Sequence, residues 1–243
     1  MLVFIIGLFI GSFLNVVIYR VPREESIVWP GSHCTACGHG LKPLDLVPVF
    51  SYLFLRGKCH YCGEKISPRY PLVELLTGLS FYMVFLTYGL SLWTVGGCIF
   101  TTILIVTAFT DIDEGIIPDV ITYPGVVAGL VFSFFTIGIK SSIIGMLAFA
   151  GVFFLIAVLS RGGMGGGDVK LVAVIGAFMG IKGALLVFVL SSVMGGLWAI
   201  GLLVFGNAGR KTAVRFGPFL SIAAYFILLY GESFLRFYLG LFY

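Results

Sequence analysis

The sequence predicts an all-α polytopic membrane protein of about eight transmembrane helices that carries one small polar loop domain. Three observations predict it. Of the 243 residues, 59% are hydrophobic and 11% charged, with a mean hydropathy of +1.10, whereas a soluble domain carries about 25% charged residues. Apolar runs recur at close to the roughly 20 residues that cross a bilayer: Leu2–Tyr19, Tyr70–Tyr88, Leu92–Thr110, Ile121–Ile139, Ser142–Ser160, Val169–Gly180, Ala184–Phe205 and Phe219–Leu239. Only residues 20–69 stay polar over an extended length. The expected organisation is a first transmembrane helix over 1–19, a loop domain over 20–69 and a seven-helix membrane domain over 70–243. The sixth run is short. It starts inside the preceding loop or merges with the seventh, which moves the helix count by one.

Charge sets the orientation. With the N-terminus outside, Arg20–Arg69 holds seven Lys and Arg, Arg161–Lys170 two and Gly206–Gly217 three, while the opposite side keeps Lys140, Lys182 and Arg236. That asymmetry obeys the positive-inside rule. The net charge of +4 is therefore topological, and no nucleic-acid surface is expected. The first run has no basic n-region and no small-x-small cleavage site before Arg20, so it is expected to be retained as a helix. Near its inner end stand Gly11, Ser12 and Asn15. Asn15 has two readings, an interhelical amide hydrogen bond or the lining of a site at the cytoplasmic face.

The polar segment contains Cys34-x2-Cys37 and, after 21 intervening residues, Cys59-x2-Cys62. Gly38 and Gly63 follow the pairs and allow tight turns. Two such pairs supply four thiolates for tetrahedral zinc; the other reading is a pair of disulfides or reduced structural thiols. A cytoplasmic loop disfavours disulfides, so the segment is expected to be a small zinc-binding cytoplasmic loop domain. The ion would be structural, because four ligands leave no open position for water, and its binding would fold a loop that lacks a core. His33, His39 and His60 are read as neighbours, and Cys98 as packing. Pro71 suits the first turn of the second helix. Glu74, about one turn inside, is either a capping and dipole partner or a functional acid facing the loop.

Asp111, Asp113, Glu114 and Asp119 follow the third run without one Lys or Arg among them. They form either a solvated turn or a set of functional acids. Asp111 lies lowest, at the membrane boundary; Asp119, after Pro118, reads as a helix cap. The second acidic site is Asp168, preceded by Arg161-Gly-Gly-Met-Gly-Gly-Gly167. A carboxylate at membrane depth costs roughly 2.5–3.5 kcal/mol at a helix centre, and glycines let another backbone approach it. Topology brings the end of the third helix and the start of the sixth to the same cytoplasmic face, where Asp111 and Asp168 are able to meet. Two carboxyl groups sharing such a site titrate apart, one neutral and one charged, the condition for activating water against a peptide carbonyl. Lys170 either snorkels to the interface or serves as counter-charge to an aspartate. Arg210, Lys211 and Arg215 are explained by lipid headgroups.

These residues resemble the type IV prepilin peptidase family of GxGD intramembrane aspartic proteases. The resemblance rests on Gly165-Gly-Gly-Asp168-Val-Lys170 and on Asp111-x-Asp113-x4-Pro118-Asp119. It rests also on Gly11-Ser-Phe-Leu-Asn15-Val-Val-Ile-Tyr-Arg20, the two CxxC pairs and Ile66-Ser-Pro-Arg-Tyr-Pro-Leu-Val-Glu74. It runs from the first helix to the sixth. It implies a bifunctional enzyme of the bacterial cytoplasmic membrane. The enzyme would cut the leader from type IV prepilin or pseudopilin substrates, then methylate the new N-terminal amine with S-adenosylmethionine. Asp111 and Asp168 would be the protease pair, with Asp113 and Asp119 secondary. Gly11, Asn15, Arg69 and Glu74 would serve the methyl-donor site. No strand–GxGxxG–helix unit is present, so a Rossmann-type cofactor site is not expected. Gly162 and Gly163 extend the glycine-rich loop beyond the family pattern and imply a looser loop. A proton-coupled carrier is the competing class, but carriers place acids near the bilayer midplane and carry repeats. Here the centres of the runs are uncharged. A binding or assembly module would leave Asp111 and Asp168 without a purpose.

Overall fold

The computed structural model describes residues 1–160, 163–205 and 215–240, apart from the side chains of 203 and 237–240. Arg161, Gly162, Arg210 and Lys211 lie outside the described residues. Among the described residues every long element is helical. Six stretches are long and apolar enough to cross a membrane, namely Leu2–Arg23, Arg69–Tyr88, Leu92–Glu114, Ile139–Leu159, Gly166–Leu202 and Gly217–Arg236. A shorter apolar helix, Asp119–Phe135, has 17 residues, or about 25 Å at 1.5 Å per residue. The described chain forms two compact units, Met1–Val106 and Thr107–Tyr243.

In the first unit α1 (Leu2–Arg20) packs on α3 (Arg69–Tyr88), with the short α2 (Phe50–Phe54) in the loop between them. Small residues set that packing. A Cβ on Gly7 would stand 2.7 Å from Gly78 Cα, and one on Gly11 2.7 Å from Glu74 Cα. The pairs 7/78, 11/74 and 15/70 step in opposite directions, so the helices are antiparallel. Arg20 closes α1 and is buried, its guanidinium donating to the carbonyls of Ser26, Pro30 and Gly31. The start of the polar loop is thereby tied to the helix end.

The second unit holds the end of α4 (Leu92–Glu114), α5 (Asp119–Phe135), α6 (Ile139–Leu159), α7 (Gly166–Phe205) and α8 (Gly217–Gly240). The sixth and seventh apolar runs merge into α7, which is broken at Gly180 (φ 65°, ψ −170°). Only glycine adopts that backbone cheaply, and a Cβ there would also meet Ser141 Oγ at 2.5 Å. Val172 and Ile175 before the break line one apolar pocket with Ala184 and Val187 after it, so the second arm returns along the first. Two arms from one helix reconcile the eight apolar runs with fewer continuous helices. The first arm packs on α6 through Gly145 and Gly176, and Ser142 donates to the Ala177 carbonyl at 2.6 Å. Gly129 of α5 sits against Ala177 and Phe178.

Candidate functional site

Asp111 lies three residues before the end of α4, which Gly115 stops with φ 71°. The side chain is 7% exposed, and its Oδ2 accepts the backbone N–H of Gly217 at 3.1 Å. Gly217 begins α8, so the carboxyl faces a free helix N-terminus, where negative charge is favoured. A Cβ on Gly217 would stand 2.8 Å from that same Oδ2 and would push the carboxyl away. Arg215, two residues earlier, donates to the Ile112 carbonyl and places its charge near Asp111.

Asp168 lies in the first turn of α7 and is 8% exposed. Its backbone N–H bonds the Gly165 carbonyl at 3.2 Å. Ile117, itself buried, packs against a glycine beside each acid. A Cβ on Gly167 would be 2.9 Å from Ile117 Cβ, and one on Gly217 3.2 Å from Ile117 Cδ1. Asp111 and Asp168 interact electrostatically. The two carboxyl groups are thus buried, stand on separate helices and lie beside glycine backbone.

The other acids divide differently from the sequence reading. Asp119 is the first residue of α5 and caps nothing with its side chain. It pairs with Lys170 Nζ at 2.5 Å, so Lys170 neutralises Asp119 and also stands over the Tyr123 ring, 5.6 Å from its centroid. Asp113 and Glu114 are exposed on the last turn of α4. Neither Gly217 nor Ile117 carries a sequence signal for the site. A glycine before proline at a helix start reads as ordinary punctuation, and contact with Asp111 across 106 positions belongs to tertiary structure. Arg215, read as a headgroup contact, lies against the end of α4.

In the first unit Cys34, Cys37, Cys59 and Cys62 bring their sulfurs within 4.8 Å of one another, and none is in a disulfide. Each pair is a tight turn. Gly38 N–H bonds Cys34 O at 2.8 Å and Gly63 N–H bonds Cys59 O at 3.0 Å, with both glycines at positive φ. The Cys34 and Cys62 sulfurs are 3.9 Å apart. Tetrahedral zinc with metal–sulfur bonds of about 2.3 Å sets sulfurs roughly 3.8 Å apart, so the residues fit such an ion. The N–H groups of Cys37 and Ala36 hold the Cys34 thiol down at about 7. Despite the Glu64 N–H, burial and the other three sulfurs push Cys62 up to about 12. Four thiolates so close need a cation among them. No histidine joins the cluster: His60 turns to Asp45 and His39 stacks on Tyr61.

Asn15, Gly11 and Glu74 meet on the α1–α3 seam. Asn15 Nδ2 donates to the carbonyls of Tyr70 at 3.0 Å and Gly11 at 3.3 Å, the interhelical amide bond. Glu74 is buried and accepts the Val49 N–H at 2.7 Å. It holds the loop rather than capping its own helix. Arg69 opens α3 and lies over the Tyr70 ring.

Comparison with known proteins agrees along the whole chain. The bacterial peptidase A24 N-terminal domain matches residues 5–88, and the type IV leader peptidase family matches residues 98–200. The prepilin leader peptidase/N-methyltransferase of Aeromonas hydrophila is 35% identical over 98% of this chain and 93% of its own length. That of Bacillus subtilis (strain 168) is 36% identical over 98% and 97%, and that of Neisseria gonorrhoeae 37% over 94% and 90%. No solved structure matches. With its acids at helix ends, its four-cysteine loop and relatives aligned nearly end to end, the chain belongs to the type IV leader peptidase family.

Proposed function

We propose that this protein is a bifunctional enzyme that removes the leader from prepilin-like precursors and then N-methylates the exposed amine. The burial of Asp111 and Asp168 around Ile117 is the observation that carries the peptidase reading. In the reaction one carboxylate takes a proton from water as the water oxygen bonds the scissile carbonyl carbon. The other carboxyl, protonated, hydrogen-bonds the carbonyl oxygen, and a proton passes to the leaving nitrogen as the C–N bond breaks. Gly217 orients Asp111 through its N–H, and the open side of Gly166 leaves space near Asp168 for an extended substrate strand. Asp113 and Asp119 are secondary; Asp119 fixes Lys170.

Zinc is the metal proposed for Cys34, Cys37, Cys59 and Cys62, where its chemistry is to fold the loop. The loop domain is then 20–69, between the first transmembrane helix (1–19) and the seven-helix membrane domain (70–243). S-adenosylmethionine, when bound, supplies an activated methyl group, and Gly11, Asn15, Arg69 and Glu74 are the residues proposed to serve it. The charge asymmetry of the sequence supports an N-terminus outside the bacterial cytoplasmic membrane and a peptidase site at its inner face. The substrate is a prepilin or pseudopilin presented in the bilayer.

The test is cleavage of a prepilin by the purified full chain carrying Asp111→Asn or Asp168→Asn. Both substitutions keep shape and remove the ionisable group. Loss of cleavage by at least about 10³-fold is expected in each, by analogy with other catalytic units, and undiminished cleavage in either excludes the pair.

A further inference from the structure

One buried acceptor on the α1–α3 seam lacks a donor among the described residues, and one buried carboxyl lacks a cation. Asn15 is 2% exposed, and its amide orientation is fixed because Nδ2 faces two carbonyls, which a flipped oxygen would repel. Its Oδ1 then points the other way, is fully buried and has no hydrogen-bond partner among the described residues. Such an orphan costs about 1–3 kcal/mol and calls for an explanation. One turn along the seam, Glu74 is 8% exposed and spends Oε2 on the Val49 N–H, with Ser12 of α1 beside the carboxyl. Among the described residues it forms no ion pair. A buried carboxylate without a cation is uncommon, since buried charges are paired. The two residues are neighbours in register: Gly11 abuts Glu74, and Asn15 bonds the Tyr70 carbonyl one helical turn away.

We infer that Asn15 Oδ1 and the Glu74 carboxylate together receive a primary ammonium group during methyl transfer, an inference that rests on the methyltransferase reading above. The chemistry selects the ligand. An ammonium is a compact charge with three donors and needs few acceptors. A guanidinium offers five donors in a planar fork, and a hard divalent cation asks for about six oxygens. Both exceed what the seam presents. Two amino groups take part in methyl transfer to an amine: the α-ammonium of S-adenosylmethionine, which keeps its protons, and the new N-terminus of the processed peptide, which binds as an ammonium and gives one proton to Glu74 before its nitrogen accepts the methyl group.

The experiment uses the full chain in detergent with Glu74→Gln, which keeps an oxygen for the Val49 N–H and removes the charge. Asn15→Ala is the second variant. Zinc content and helical circular dichroism report folding. Equilibrium dialysis measures binding of S-adenosylmethionine and of its analogue lacking the α-amino group. Steady-state methylation of a synthetic peptide with a free N-terminus measures KM for the amine. If the ammonium belongs to S-adenosylmethionine, its Kd rises at least tenfold in Glu74→Gln, and the wild-type preference over the deamino analogue disappears. If it belongs to the peptide, donor binding is unchanged and KM for the peptide rises at least tenfold. Folded variants with both constants unchanged overturn the inference, leaving a buried water as the partner of Asn15. A wild type that neither binds S-adenosylmethionine nor methylates the peptide removes the methyltransferase reading itself and this inference with it, a result seen before any variant is made.

Discussion

Replacing Gly217 by alanine separates catalysis from stability by sign. The residue begins α8 and its φ lies outside the left-handed region, so alanine adopts the same backbone and gains up to about 1 kcal/mol in helix propensity. The new Cβ, however, would stand 2.8 Å from Asp111 Oδ2 and 3.2 Å from Asp111 Cγ. Comfortable non-bonded separations begin near 3.5 Å, so the carboxyl must withdraw by roughly 0.5 Å or more, stretching its bond to the Gly217 N–H. A hydrogen bond to a charged group is worth about 1.5–3 kcal/mol, and each 1.36 kcal/mol is about tenfold in rate. The expected loss is therefore roughly 10- to 150-fold in kcat. KM should change little, because the perturbed contact orients a reacting group. The assay is time-resolved cleavage of a prepilin reconstituted in liposomes, with thermal denaturation of the same samples. Gly196→Ala is the control: a Cβ there meets nothing within 4 Å. A Gly217→Ala protein with wild-type kcat would refute the claim that this N–H holds Asp111 in place. A variant that melts early would instead show that the clash is relieved by moving α8.

Cys34→Ser should lower bound zinc in metal analysis of the purified chain and speed proteolysis within 20–69, because three sulfurs do not close the site; full zinc content would exclude the cluster. Asp45→Ala should loosen the same loop by about 1 kcal/mol, the usual worth of a capping carboxylate, since Asp45 accepts from Lys42 N–H, Tyr61 Oη and His60. Those donors, the Lys42 N–H foremost, hold its carboxyl below the ordinary range. Its contribution is thus complete above the unfolded value and lost as pH falls through the folded one, which amide exchange at Lys42 can follow. Lys170→Met should cost under about 1 kcal/mol in thermal stability, because its pair with Asp119 is 37% and 50% exposed and such pairs contribute little. A large stability loss would mean that Lys170 has a further buried partner.

What the sequence made legible follows from periodicity and spacing. The apolar runs locate the helices because a span must be continuously apolar, and the CxxC pairs locate the sulfur cluster because each fixes a local turn. Asp111 and Asp168 were readable as exceptions, carboxylates at the ends of apolar runs. Gly180 was not. A glycine in an apolar run carries no signal that it reverses the chain, and only the clash with Ser141 and its φ reveal the break. The role of Asp119 was misread for a similar reason. Local chemistry after Pro118 suggests a cap, and the partner that wins, Lys170, lies 51 positions away. Glu74 likewise turns to a loop N–H 25 positions earlier. Short-range rules rank local partners, whereas burial lets distant ones outbid them.

The surroundings of Asp111 explain why a glycine stands beside it. A buried carboxylate must be stabilised by cations or by dipoles. An intimate cation would neutralise a group that has to exchange a proton, whereas a backbone N–H stabilises it without competing for that proton. Glycine, which has no Cβ, lets backbone come to a carboxyl with the least crowding. Gly217 does so opposite Asp111; beside Asp168 a Cβ on Gly165 would stand at an ordinary 3.6 Å from Oδ2. The basic residues nearby are kept occupied elsewhere, Lys170 on Asp119 and Arg215 on the Ile112 carbonyl. Placing a cation in direct contact with either acid, for example by Ile117→Lys, should therefore abolish cleavage while the helices persist by circular dichroism. Cleavage that survived such a pairing would show that the acids do not work by passing protons.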